Sequence, residues 1–169
     1  PDSVQNINSY AFSFCNMKTV NIPEGITALN TMVFAYCPLE EVHIPSSVKT
    51  IGTWAFGASK LKTVTVPEGV TSIGKLAFYG SSMRALILPH SVTDFHDEAF
   101  DYFSYYEYVY CYKGSQAESF AKEKNVNYLF EASVGGPAGV NNEGGVHYED
   151  PSREFRSIFD ISREQRVAE

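Results

Sequence analysis

A solenoid of stacked coils, with one parallel β-sheet of about five strands, is the fold class this sequence predicts. Three observations carry it. An Ala-Phe or Val-Phe pair recurs every 22 residues, at Ala11-Phe12, Val33-Phe34, Ala55-Phe56, Ala77-Phe78 and Ala99-Phe100. Proline keeps the same step at Pro1, Pro23, Pro45, Pro67 and Pro89. So do the apolar columns Val4/Ile26/Val48/Val70/Val92, Ile7/Leu29/Ile51/Ile73/Phe95 and Met17/Leu39/Leu61/Met83/Tyr105. A fixed period of about 20–29 residues marks units that cannot bury their own apolar face alone and must stack to do so.

Residues 1–113 form five 22-residue repeats, the first one partial. In the third unit, Leu61-Lys62-Thr63-Val64-Thr65-Val66-Pro67, valine alternates with threonine, the period-two pattern of a half-buried strand. Pro67 has no N–H to donate, so it ends the strand and turns the chain at Glu68-Gly69. Val70, Ile73, Ala77 and Phe78 then point inward along an irregular return path. Strands are expected near 17–22, 39–44, 61–66, 83–88 and 105–110, with the phenylalanine column as an aromatic spine on the opposite side. The chain opens at Pro1, in register with the other repeat prolines, so further N-terminal repeats are expected in the parent protein.

The fifth unit exchanges aliphatic columns for tyrosines between Tyr102 and Tyr112. Tyr105, Tyr108 and Tyr110 are expected to point inward; Tyr102, Tyr106 and Tyr112 are the expected exposed members. Residues 114–130 make a C-terminal cap: Ser115 to Glu118 has the capping-box spacing, residues 116–124 a short helix, Asn125 a left-handed stop, and 126–130 a last strand. Residues 131–149 are expected to be a flexible linker, since 131–145 hold five glycines and a proline. Residues 150–169 are expected to be a short helix begun by Asp150-Pro151, or a disordered tail.

Net charge is −7, about −3 over residues 1–130 (9 basic, 12 acidic) and −4 over the remainder (4 basic, 8 acidic). Nucleic acid and anionic membranes both require a basic face, so neither is an expected partner. No apolar run approaches the roughly 18 residues that a membrane helix needs. Three cysteines are too few for a disulfide framework and lack metal-ligand spacing. Cys15 and Cys37 share one repeat position on adjacent coils, within Cα range of a disulfide, but read first as small buried apolar groups. Cys111 takes the place of the repeat proline.

The outward rows of the predicted sheet are Lys18/Glu40/Lys62/Arg84/Tyr106, Thr19/Glu41/Thr63/Ala85/Glu107 and Asn21/His43/Thr65/Ile87/Val109. Lys18, Glu40 and Lys62 read as a charge ladder. Arg84, Ile87, Tyr106 and Val109 combine arginine, tyrosine and aliphatic groups as binding hot spots do. The candidate ligand-binding residues are therefore Arg84, Ile87, Tyr106, Lys62, Thr65 and His43. Asp94, His96, Asp97, Glu98 and Asp101 form an acidic cluster without EF-hand spacing and read as a solvated edge. No catalytic set, phosphate loop, metal site or cofactor motif emerges from the register, so no enzyme activity is expected.

The pattern L-x-x-V-x-I-P-x-x-V-x-x-I-G-x-x-A-F, clearest from Leu61 to Phe78 and from Leu39 to Phe56, resembles the BspA-like class of leucine-rich repeats. The ending Tyr112 to Tyr128 is similar to the segment that closes such arrays. The resemblance covers residues 1–130; Val33, His96 and the fifth-unit tyrosines depart from it. It implies a leucine-rich-repeat solenoid with a short C-terminal capping helix. It also implies a secreted or cell-surface adhesin of bacteria or unicellular eukaryotes, whose partners are matrix or plasma proteins and glycoproteins. It carries over no functional residue. The expected function is a non-catalytic binding module working through its open sheet. The alternatives are a spacer projecting another domain and a carbohydrate-binding module serving an enzyme.

Overall fold

A computed structural model of the chain describes residues 3–99 and 108–130. The chain divides into two units, Pro1–Gly136 and Pro137–Glu169, and every described residue lies in the first. The expected linker and tail, 131–169, lie outside the described residues, as do Phe100 to Glu107.

Each coil contributes one short strand, with a valine or leucine at its inward position. These are β1 (Thr19–Asn21), β3 (Glu41–His43), β5 (Thr63–Thr65), β7 (Ala85–Ile87) and β9 (Tyr108–Cys111), followed by β10 (Tyr128–Phe130). All pair in parallel, in two sets: β1 with β3, and β5-β7-β9-β10. The expected continuous sheet is thus interrupted between β3 and β5. Elsewhere a coil enters its strand with Glu40 N–H donating to Lys18 O or Arg84 N–H to Lys62 O; here the entry bond is Lys60 N–H to Leu39 O.

The return path is more regular than expected. Two-residue strands β2 (Ala28–Leu29), β4 (Thr50–Ile51), β6 (Ser72–Ile73) and β8 (Asp94–Phe95) form a second parallel ladder in that order. Leu29, Ile51 and Ile73 are buried from this ladder, against the valines of the main sheet. Gly52 lies so close to the preceding coil that a methyl group there would sit 2.8 Å from Leu29 O.

The phenylalanine spine lies between two left-handed residues in each of the first four coils. Tyr10, Met32, Trp54 and Leu76 have positive φ two positions before it, and Phe14, Tyr36, Ala58 and Gly80 two positions after. Such backbone is unfavourable for residues with a Cβ. It persists because every second N–H is thereby aimed at the next coil: Met32 to Thr53 O at 2.8 Å, Phe34 to Ala55 O at 3.0 Å, Tyr36 to Gly57 O at 2.8 Å. The spine rings stack with centroids 5.7 Å apart from Phe12 to Phe34, Phe34 to Phe56 and Phe56 to Phe78. Ser59 Oγ, buried beside this core, has no hydrogen-bond partner in the structure.

The last coil corrects the expected register. Ala85, Leu86 and Ile87 pair with Tyr108, Val109 and Tyr110, a step of 23 instead of 22. A one-residue slip reverses the facing of every side chain in the strand. Val109, expected outward, is therefore a core residue, and Tyr108 and Tyr110, expected inward, share the outer side with Ala85 and Ile87. Cys111 continues the buried Leu88 column and does not occupy the proline position.

Helix α1 (Gln116–Glu123) closes the stack with Ala117 and Ala121 buried. The Ser115 side chain accepts from Glu118 N–H, and Glu118 reaches back to Gly114 N–H at 2.6 Å, a capping box displaced by one residue. Asn125 has φ of 54°, the left-handed stop that its sequence position predicts.

Candidate binding surface

The outer side of the sheet is polar over its first three strands. Thr19, Asn21, Glu41, His43 and Thr65 are exposed, as are Lys18, Glu40, Lys62 and Arg84 beside them. Lys18 Nζ lies 3.0 Å from Glu40 and holds its carboxyl below the usual range, mainly through that hydrogen bond. Both groups are in water, so the pair contributes little to stability.

The candidate patch does not form as expected. Arg84 is exposed, but Ile87 is only 6% exposed, and Ala85 beside it is also buried. Tyr110, the next residue in Ile87's row, is 7% exposed, and burial together with nearby Tyr108 pushes its hydroxyl pKa upward. The outer row is thus open from Asn21 through His43 and Thr65, and closed at Ile87. Tyr106 lies outside the described residues. Of the six candidates, the structure exposes His43 and Thr65 on either side of the break between β3 and β5, leaves Lys62 and Arg84 exposed at adjacent strand entries, and removes Ile87 from the surface. Tyr112, expected exposed, stacks on His90 with ring centroids 4.0 Å apart.

The larger apolar surface lies elsewhere, along the left-handed turns. Phe14 stacks on Tyr36 at 4.5 Å, Tyr36 on Trp54 at 5.8 Å, and Trp54 meets Tyr79 at 4.7 Å. Phe14 is 72% exposed and Tyr36 43%, while Trp54 and Tyr79 are half-buried. The turn explains the exposure: a left-handed residue between inward-facing neighbours turns its own side chain outward. Phe14 and Tyr36 occupy one turn column; where that column narrows to Ala58, Trp54 crosses from the other. A methyl group on Gly57 would lie 2.4 Å from Trp54 Cε3, so glycine makes the room for that ring. Sequence reasoning followed the inward columns and passed over this stripe. Its signal was there, as aromatic residues two places from the spine phenylalanine, at positions with no inward role.

The acidic cluster is tied into the coil edges. Ser72 Oγ donates to Asp94 at 2.9 Å, Lys75 pairs with Glu98 at 2.7 Å, and His96 Nδ1 accepts from Glu98 N–H at 3.1 Å. Among the described residues, no three His, Cys, Asp or Glu side chains converge as metal ligands, and no helix is long and apolar enough to cross a membrane.

The family described as BspA type leucine-rich repeat region matches residues 1–107 in six copies. No curated protein matches the chain. Among solved structures, a leucine-rich repeat protein from Eubacterium ventriosum is 25% identical, with a TM-score of 0.58, over 63% of this chain and 29% of its own. The pneumococcal vaccine antigen PcpA is 20% identical, with a TM-score of 0.60, over 79% of this chain and 40% of its own. A leucine-rich cell surface protein from Faecalibacterium prausnitzii is 24% identical, with a TM-score of 0.59, over 79% of this chain and 31% of its own. The chain therefore spans well under half the length of these solved proteins, and the last two likenesses speak to fold alone.

Proposed function

Since the chain belongs to the BspA-type leucine-rich repeat family, we propose that it is a non-catalytic protein-binding module of a cell-surface or secreted adhesin. Its partner in this reading is a protein or glycoprotein of the host-matrix or plasma class, met outside the cell. The observation that carries the reading is the aromatic stripe in which exposed Phe14 and Tyr36 run on to half-buried Trp54. A contiguous exposed apolar surface is uncommon on a soluble domain, and tryptophan and tyrosine are the residues that dominate interface energetics. Tyr36, at the centre of the stripe, has a ring against each side, so its faces are taken up within the ladder and its edge meets solvent. That favours protein contact over the stacking of sugars on ring faces. The exposed sheet positions His43 and Thr65, flanked by Lys62 and Arg84, make a second and more polar surface. Contacts there would tune association rate and salt dependence more than affinity.

The test is a binding screen of the purified chain against matrix and plasma glycoproteins, followed by two double variants. Tyr36→Ala with Trp54→Ala should weaken the ligand found by tenfold or more, at about 2 kcal/mol for a hot-spot truncation. His43→Ala with Thr65→Ala should change it less than about threefold. If only the second pair loses binding, the sheet is the working surface. If no ligand is retained by the wild-type chain, the spacer reading replaces this one.

A further inference from the structure

We infer that Cys15 and Cys37 form a redox modification site, oxidised to a disulfide by a low-molecular-weight disulfide of the glutathione class, which staples the first coil to the second. The two residues occupy the same repeat position, 22 apart. The Cys37 thiol leans out of its own coil and donates to Phe12 O at 2.9 Å. The Cys15 N–H donates to that same oxygen at 3.3 Å, which brings the Cys37 sulfur against the Cys15 backbone. Just before these positions the two coils are joined by Phe12 N–H to Val33 O at 3.0 Å and Phe14 N–H to Ala35 O at 2.9 Å, which sets neighbouring backbones about 4.8 Å apart. A disulfide needs a Cα separation of about 4.4–6.8 Å.

Access is graded in the order the chemistry requires. Both cysteines are free thiols; Cys15 is half-buried and Cys37 buried. The Cys15 thiolate attacks one sulfur of the reagent, forming a mixed disulfide and expelling one small thiolate. The Cys37 thiolate then attacks the Cys15 sulfur, forming the protein disulfide and expelling the second. Two electrons pass from the protein thiols to the reagent, and their two protons end on the two small thiols released. Burial raises the Cys37 pKa, opposed by the Cys15 N–H beside its sulfur, so the second step is the slower and gains from mild alkali. The next coils carry Ser59 and Ser81 at this position, so Cys15 is the one cysteine in a coil adjacent to Cys37. Cys111 lies three coils away in the core, its thiol pushed up to about 11 chiefly by burial. It serves as an internal control.

The experiment treats the full chain with oxidised glutathione at about pH 8, where thiolates are available, then denatures and alkylates it. The expected result is an intact mass lower by two hydrogens, alkylation of Cys111 alone, and a crosslinked peptide pair containing Cys15 and Cys37. The melting midpoint should rise by about 10 °C, as closure of a loop of this length predicts, and dithiothreitol should reverse all four signs. Cys15→Ser or Cys37→Ser should each abolish the mass loss, and Cys111→Ser should leave it. Alkylation of all three cysteines after treatment would overturn the assignment. So would a glutathione adduct that persists on Cys15, or a chain-to-chain dimer linked through it.

Discussion

Val109 stands opposite Leu86 in the parallel ladder, both side chains fully buried, although the two are 23 positions apart in a chain whose other coils step by 22. The extra residue turns the tyrosines flanking Val109 to the outer side of the sheet and leaves a valine to continue the aliphatic column. Val109→Ala should therefore destabilise the chain by about 2 kcal/mol, from lost burial and the cavity left behind. Tyr108→Ala, on the half-exposed outer side, should cost less than about half of that. Urea unfolding of both variants decides it; the reverse order would restore the 22-residue register.

Phe56 has a spine ring stacked on each side at 5.7 Å and no exposed surface. Its truncation to alanine should cost about 3–5 kcal/mol. Phe12, at the outer end of the same spine, is partly exposed and stacks on one side only, so Phe12→Ala should cost clearly less. Equal losses for the two in chemical denaturation would mean that the open end is buried in solution.

The cap contains a pH-sensitive contact. Lys122 lies 2.6 Å from Glu118, and that hydrogen bond, with help from Gly114 N–H, holds the carboxyl below its ordinary value of 4.5. Because the folded pKa is the lower one, the associated stability is present above about 4.5 and is lost as pH falls through the folded value. Lys122 is raised by the same contact, so its share persists below its ordinary value of 10.5 and is lost only in strong alkali. Glu118→Gln should lower the melting midpoint at neutral pH. The gap to wild type should close as both are titrated from pH 6 to about pH 3. A gap that stays constant across that range would show that the charge is not what matters. Lys122 is more than half exposed, so the effect is modest.

Much of the fold was legible because the repeat fixes which side chains face inward, and a column such as Phe34, Phe56 and Phe78 has no other way to be buried. The cap was legible for a local reason: Ser115, Glu118 and Asn125 satisfy backbone groups within a few residues of themselves. The candidate site was less so. His43, Thr65, Lys62 and Arg84 are exposed as expected, but Ile87 is not. The Phe14–Tyr36–Trp54 stripe went unread because its exposure follows from left-handed backbone at residues that ordinarily avoid it.

The sequence by itself determined the coil length, the inward columns, the order of the strands and the identity of the closing helix. Each of these depends on periodicity or on contacts between near neighbours in the chain. Only the tertiary structure decided the shift of register at Val109, the break between β3 and β5, and the lateral aromatic ladder. These depend on hydrogen bonds between coils, such as Lys60 N–H to Leu39 O and Tyr36 N–H to Gly57 O, whose partners are about one repeat apart. Such bonds are chosen by how whole coils seat against one another. A single added residue or one narrow position, Gly57 beneath Trp54, changes the outcome without disturbing the repeat pattern that announces the fold.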